Sequence, residues 1–260
     1  MRSVPGLRAA LLLACTLTCA AAHAACESGL AERMQSRLYP ARTLDRALAA
    51  CKAWPAYAGR SIVVLPFPAD SGRPPGQRTL DLAVLVIQRP DNGNTERDAV
   101  MAQIYQPGAL RERGHALQEL RIDTARYLLA PNQRAFGLRA RYRGDELAAP
   151  FAAETLRLYL PQASQLQQVL AETEIERDSG RWDLQCDGQF ERLRTQVAVE
   201  PVAGRRWADL MLSRTLQSSR ARRQADGQCL DHAEPARYTP HRLRHNGEDY
   251  AAPAGLKSPL

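Results

Sequence analysis

The chain has 260 residues, of which 45% are hydrophobic and 24% are charged, and its formal net charge is +7 at pH 7. These proportions are ordinary for a globular protein and exclude wholesale disorder. Charged residues interrupt every apolar run beyond the N-terminus, which excludes a polytopic membrane protein. The length suits one large β domain or two small domains.

The N-terminus has the pattern of a secretory signal over residues 1–24. Arg2 and Arg8 form a basic start, residues 9–19 are apolar, and residues 22–24 have the small-x-small spacing of a cleavage site. A membrane anchor is one alternative, but the apolar run is short for it. A lipoprotein is another, but the residues before Cys26 lack the usual leucine. We therefore expect an exported protein, periplasmic or secreted, with no integral membrane span in the mature chain.

Removal of the signal leaves four cysteines, Cys26, Cys51, Cys186 and Cys229. An even number of cysteines in an oxidising compartment favours two disulfides, for which three pairings are possible. Short loops favour Cys26–Cys51 and Cys186–Cys229. Metal ligation or a reactive thiol is the alternative, but no C-x-x-C spacing supports it.

Residues 25–59 carry helical periodicity. Leu30, Met34 and Leu38 recur at the spacing of one helix face. Thr43 can cap a second helix, whose apolar stripe is formed by Leu44, Ala47, Leu48 and Cys51. We predict a short helical hairpin, closed by the Cys26–Cys51 bridge.

Residues 60–252 have a period of two, with turn residues between short apolar runs. About ten antiparallel strands are expected, so the main domain should be mainly β. Residues 136–142 alternate most clearly and place Arg139, Arg141 and Arg143 on a solvated face. Asp81 and Asp209 each stand just before an apolar strand, which is a weak internal repeat. Two copies do not decide between a sandwich and an irregular propeller-like fold. Residues 253–260 are expected to form a flexible tail.

Several short stretches resemble a group of uncharacterised exported proteins of Gram-negative bacteria. They are residues 51–55, 62–66, 127–131, 134–137 and 179–183. The aspartate-leucine strand and the closing residues 246–250 also loosely resemble FG-GAP-like propellers, some of whose periplasmic members inhibit lysozyme-type enzymes. Residues 91–96 are out of register with the calcium loop of such propellers. The resemblance to exported proteins implies export but no activity. The resemblance to propellers does not support calcium binding by this chain.

The sequence contains no G-x-S-x-G elbow, P-loop, H-E-x-x-H or dinucleotide fingerprint, and it indicates no cofactor. His232, His241 and His245, with Asp231, form a group of potential ligands that suits zinc. Surface histidines are the alternative, because the H-x-x-x-H spacing suits a helix better than a strand. A second candidate is a pair of carboxylates, Glu174 and Glu176. On one strand face they would have the separation of a glycosidase pair.

Arginines supply nearly all of the basic excess, since the chain has only two lysines. The candidate binding residues are Arg205 and Arg206, and then Arg220, Arg222 and Arg223 in a polar loop before Cys229. Guanidinium groups grip carboxylates and phosphates in pairs. We expect an envelope protein or an anionic cell-surface polymer as the partner. Nucleic acid is not expected, because aromatic residues for base stacking make up only 6% of the chain.

Two functions follow from these patterns. The first is an exported binding or inhibitor-type protein that uses loops of a β scaffold as its contact surface. The alternative is a metal-dependent or carboxylate hydrolase acting on cell-envelope polymers. The hydrolase requires the histidines or the carboxylates to converge in a pocket.

Overall fold

The structure is a computed structural model that describes residues 26, 29–70, 72–89 and 98–256. The predicted signal at 1–24, the calcium-loop comparison at 91–96 and residues 257–260 lie outside the described residues. Strands account for 61% of the structure and helices for 6%. The prediction of a mainly β protein is therefore confirmed.

The described residues form one helix, twelve strands and a 3-10 turn. In chain order they are α1 (Leu30–Leu38), β1 (Ala50–Ala53), β2 (Arg60–Pro68), β3 (Thr79–Gln88), β4 (Ala99–Arg111), β5 (Ala116–Ala130), β6 (Gln133–Arg143), β7 (Phe151–Gln162), β8 (Gln165–Trp182), β9 (Gly188–Glu200), β10 (Asp209–Arg223), β11 (Cys229–Ala233), β12 (Arg237–Leu243) and the 3-10 turn Ala254–Leu256.

The strands form one connected, mostly antiparallel sheet in the order β1-β2-β3-β4-β8-β7-β6-β5. A single parallel bridge between Gln103 and Gln165 joins the two halves of this order. On the edge opposite β7, the C-terminal part of β8 pairs with β9. β9 pairs in turn with β10, and β10 pairs with both β11 and β12. The long β8 therefore carries a second group of strands on its C-terminal half.

The largest apolar cluster lies between β1–β4 and β5–β7, as in a sandwich. Alternate residues of β3 and β6 supply much of it, including Leu82, Val84, Phe136 and Leu138, all at most 1% exposed. Phe136, Leu138, Ala140 and Tyr142 are all buried, so the predicted alternation of β6 is confirmed. Opposing faces of two strand layers bury these side chains by the period-two rule.

Helix α1 covers the outer face of β2 and β3. Leu30, Ala31 and Met34 are buried there, as the predicted stripe requires. The second predicted helix is wrong, because residues 50–53 form β1 instead. Its apolar positions are buried on two sides of the sheet: Leu48 in the sandwich core and Cys51 beneath α1. Cys51 pairs with Val63 of β2, whereas Leu48 lies in the turn before β1. One helix face could not bury both residues on opposite sides of the sheet.

A further apolar cluster joins β6–β8 to β10, β12 and the C-terminal segment. Leu158, Leu210 and Leu212 are fully buried in it. Leu256 is also fully buried in this cluster. The flexible tail over residues 253–260 stays a prediction.

Both predicted cysteine pairs meet. The Cα atoms are 4.7 Å apart in Cys26–Cys51 and 5.7 Å apart in Cys186–Cys229, which are disulfide separations. The first bridge ties the segment before α1 to β1, and the second ties the β8–β9 turn to β11. In the described part of the chain, no helix has both the length and the apolar character needed to cross a membrane.

Candidate functional site

A broad groove crosses one end of the sheet. Its volume is about 1740 Å³, and residues of all seven strands from β5 to β11 line it. The loop between β6 and β7 and residues near Gly76 and Gly114 complete its lining. Pockets for compact small molecules are commonly about 300–1,000 Å³, so this groove is larger than such a ligand requires.

Glu112 fixes the part of the lining that contains Gly76 and Gly114. Its carboxylate accepts hydrogen bonds from the backbone N–H groups of Gly76 at 2.6 Å and Leu117 at 2.8 Å, and from the Arg78 guanidinium at 2.7 Å. Burial alone would raise the pKa of Glu112, but these donors outweigh it and lower that pKa below its ordinary value. A buried carboxylate therefore anchors two loops at one side of the groove.

The groove floor contains a second buried carboxylate, Glu154 on β7. Arg139 donates to it at 2.7 Å, Arg121 at 3.0 Å and Arg141 at 3.4 Å. Burial would raise the pKa of Glu154, but the arginines lower it. The row of arginines on β6 is therefore partly engaged across the sheet, rather than merely solvated.

Asp178 on β8 occupies a more exposed part of the floor. It accepts from Arg194 at 2.7 Å and from Arg192 at 3.2 Å. Its burial opposes ionisation, and the two arginines more than compensate, which lowers its pKa. These cross-strand pairs are exposed, since 66% of the Arg192 side chain and 40% of the Arg194 side chain are accessible, and such pairs stabilise the sheet only weakly.

Acids outnumber arginines in the groove. Its lining holds eight carboxylates and three guanidinium groups: Glu119, Asp145, Glu146, Glu154, Glu176, Asp178, Glu191 and Asp231, with Arg141, Arg143 and Arg192. Four further arginines bind these carboxylates from beside the lining: Arg121, Arg139, Arg177 and Arg194. Two of these arginines also bind acids outside the lining, Arg139 to Asp123 and Arg177 to Glu174. The site is therefore strongly polar and keeps a surplus of acids.

Two aromatic side chains lie opposite glycines in the β8–β9 hairpin. Phe190 pairs with Gly180, and Trp182 pairs with Gly188. A Cβ atom at position 180 would lie 2.8 Å from Phe190 Cε1, and one at 188 would lie 2.6 Å from Trp182 Cβ. Only glycine at these positions leaves room for the Phe190 ring and for Trp182 Cβ to lie this close to the backbone. Both aromatic residues are partly exposed and line the groove.

The turn after Trp182 closes this end of the groove. The indole Nε1–H donates to the Leu147 carbonyl at 2.7 Å, and the Asp183 carboxylate accepts from the backbone of Gln185 and Cys186. Leu184 has a left-handed φ of 64°. The Cys186–Cys229 bridge and these hydrogen bonds hold the turn in one conformation.

The predicted arginine site is divided. Arg220 and Arg222 face away from the groove, because Ser219 and Gln217 line it and neighbouring strand residues alternate. Arg223 is on the groove side, and its Nη2 lies 3.5 Å from Gln185 Oε1. Residues 217–234 contain three arginines and three acids, so this arm has no net charge. Arg205 is bound to buried Asp209, and the Arg206 guanidinium lies 5.4 Å from the Trp207 ring centre.

The three histidines do not form one cluster. His232 on β11 pairs with Arg220 of β10, and His241 on β12 pairs with Leu212 of β10. Arg220 and Leu212 are eight residues apart along β10, which corresponds to about 26 Å. His245 stacks on Trp207 at 4.0 Å. Within the described ranges, no three His, Cys, Asp or Glu side chains are arranged to hold a metal ion.

A β-bulge separates the two predicted carboxylates. Thr155 pairs with Glu174, but the adjacent Glu154 pairs with Glu176, so Ile175 is the extra residue. Glu174 and Glu176 therefore point to opposite faces, and the prediction of a shared face is wrong. Burial raises the pKa of Glu174, although Arg177 and Arg214 oppose this.

Sequence reasoning missed Phe190 and Trp182 as groove residues. Their signal is a repeated Gly-x-aromatic pattern at 180–182 and 188–190. In a hairpin, these two segments lie antiparallel, and each aromatic side chain meets the other segment's glycine. Glu112 and Glu154 have no comparable local signal, since their partners come from distant strands.

No family model, curated protein or solved structure matches the chain. The resemblance to exported β-rich proteins of Gram-negative bacteria therefore stays a prediction.

Proposed function

We propose that this protein is an exported binding protein whose ligand occupies the groove. The observation that carries the proposal is the groove itself: an opening of about 1740 Å³ bordered by seven hydrogen-bonded strands. Ligand sites are concave and usually preformed, and a scaffold of paired strands keeps such a site open. The sheet face, more than the loop arginines, then forms the contact surface.

The fixed side chains of the floor support this function. The Glu154 side chain is only 5% exposed and is held by three arginines, so its oxygen atoms need little reordering when a ligand arrives. Binding sites gain affinity when the cost of ordering side chains is avoided. Export is supported by the two disulfides, which persist in oxidising compartments.

Site-specific photocrosslinking tests the proposal for a ligand of any chemical class. Benzoylphenylalanine replaces Gln217 in the groove or, as a matched control, Arg222 on the opposite face of the same strand. Both positions are exposed. The full-length chain is exported by a Gram-negative host, irradiated and analysed by mass spectrometry.

We expect an adduct at position 217 and none at position 222. Adducts only at position 222, or at neither position, would contradict a ligand site in the groove. The mass of the adduct also distinguishes a peptide from a glycan or a lipid.

A further inference from the structure

The groove combines two kinds of surface that few ligands match at once. One end presents the partly exposed rings of Phe190 and Trp182, and the floor presents carboxylates and guanidinium groups held in ion pairs. A pyranose sugar has an apolar C–H face and an edge of hydroxyl groups. The first stacks on an aromatic ring, and the second bonds to planar polar side chains.

The glycines give the rings a conformation suited to stacking. Phe190 lies across Gly180, and its Cε2 would be 3.0 Å from a Cβ at Gly188. The ring therefore rests on the backbone of two strand positions, instead of standing away from the sheet. Phe190 is only partly buried, so part of its ring is exposed where the residue lines the groove.

The existing ion pairs favour a neutral ligand. Five of the eight lining carboxylates already pair with an arginine: Glu119, Glu154, Glu176, Asp178 and Glu191. A polyanion would be repelled by the surplus of acids, and a polycation would have to displace these ion pairs. Hydroxyl groups can instead bond to the lone pairs and N–H groups that the pairs leave free.

We propose that the groove binds a neutral glycan chain, with sugar rings stacked on Phe190 and Trp182 and hydroxyl groups bonded to the charged floor. This inference rests on the proposed function, since it names the ligand class of the same groove. The volume accommodates several linked sugars, so affinity should rise with chain length.

The experiment uses cellohexaose, maltohexaose and chitohexaose as probes, with hexalysine and hexaglutamate as charged controls. Tryptophan fluorescence reports binding, because Trp182 lines the groove, Trp54 is buried in the core and Trp207 stacks on His245. We expect at least one hexasaccharide to give a saturable change. Trp182→Phe should remove that change, and Trp207→Phe should keep it.

Calorimetry with Phe190→Ser measures the stacking contribution, and Tyr238→Ser is the control at an exposed aromatic outside the groove lining. Loss of one stacking ring should weaken the sugar about tenfold, whereas the control should change affinity less than about twofold. Raising the salt concentration should have little effect, because a neutral ligand is not screened. Thermal unfolding of each variant confirms that it is folded.

Failure of all three hexasaccharides to bind would overturn the glycan inference. Equal affinity of the wild type and Phe190→Ser would overturn it too, as would preference for hexalysine or hexaglutamate. A peptide adduct at position 217 together with no sugar binding would refute the ligand class and leave the groove as the binding site. No adduct and no sugar binding would refute both.

Discussion

Glu112→Gln should be among the most destabilising isosteric changes in this protein. The side chain of Glu112 has no exposed surface and faces the Arg78 guanidinium at 2.7 Å. Glutamine keeps the shape but removes the charge, and it turns an NH₂ group towards the backbone donors of Gly76 or Leu117. Breaking one side of a buried ion pair costs about 3–5 kcal/mol. Arg78 keeps Asp45 at 3.2 Å and is 20% exposed, so we expect about 3 kcal/mol, the lower end of that range.

Guanidinium chloride unfolding at pH 7, with the disulfides intact, measures this loss. Glu119→Gln is the control: its carboxylate is 31% exposed and lies 3.7 Å from Arg141, so its loss should stay within about 0.5 kcal/mol. Because the folded-state pKa of Glu112 is lowered, its contribution is present above the unfolded-state pKa and is lost as the pH falls through the folded-state value. The difference between the wild type and Glu112→Gln should therefore close in acid. A loss below about 1 kcal/mol at pH 7, or a pH-independent difference, would refute the argument.

Three other changes test the groove and its borders. Gly180→Ala places a Cβ atom against Phe190, so the ring must swing away. The ring then loses packing worth about 1 kcal/mol. This loss is offset because alanine has less conformational entropy than glycine in the unfolded chain. Near-ultraviolet circular dichroism should change while stability stays within about 1 kcal/mol, and an unchanged spectrum would contradict the ring placement. Joint replacement of Cys186 and Cys229 by serine opens a bridge of sequence separation 43 and should lower the free energy of unfolding by about 4 kcal/mol in the chain-entropy model. Denaturant titration without reductant measures this, and a loss below about 1 kcal/mol would show that the turn is held without the bridge. Arg220→Ala, Arg222→Ala and Arg223→Ala together should change stability by less than about half a kcal/mol per residue, because exposed charges contribute little. Unfolding of the triple variant during a thermal scan at neutral pH would show that the arm is structural.

The sequence predicted the parts of this fold that depend on local pattern. Alternation located β6, and the even cysteine count with short loops identified both disulfide pairs. The second helix failed because Leu48 and Cys51 satisfy a helical spacing while being buried on different sides of a sheet. Which side buries a residue is decided by pairing with β2, and that information is not local.

The site was less accessible to prediction, for a related reason. The extra residue Ile175 turns Glu174 and Glu176 to opposite faces, and a single-residue bulge leaves no mark in an alternating sequence. The arginines of the β10–β11 arm suggested an anionic ligand, but the acids of the same arm cancel their charge. The bulge is decided by the pairing of β8 with β7, whereas the charge of the arm can be counted from the sequence itself.

The glycines of the β8–β9 hairpin weigh against a purely structural role for its aromatic residues. Glycine within a strand costs about 0.5–1 kcal/mol relative to alanine, and Gly180 and Gly188 both stand where a strand former would strengthen the hairpin. Aromatic cover offsets part of that cost. A Cβ atom at either position would lie 3.1 Å from a backbone carbonyl oxygen, and it would also meet the Phe190 ring at 180 or Trp182 Cβ at 188. The glycines therefore keep Phe190 against the backbone of the hairpin, where it is partly exposed and lines the groove. A partly exposed ring adds less to stability than a buried one, and its exposed part is what a stacked ligand requires.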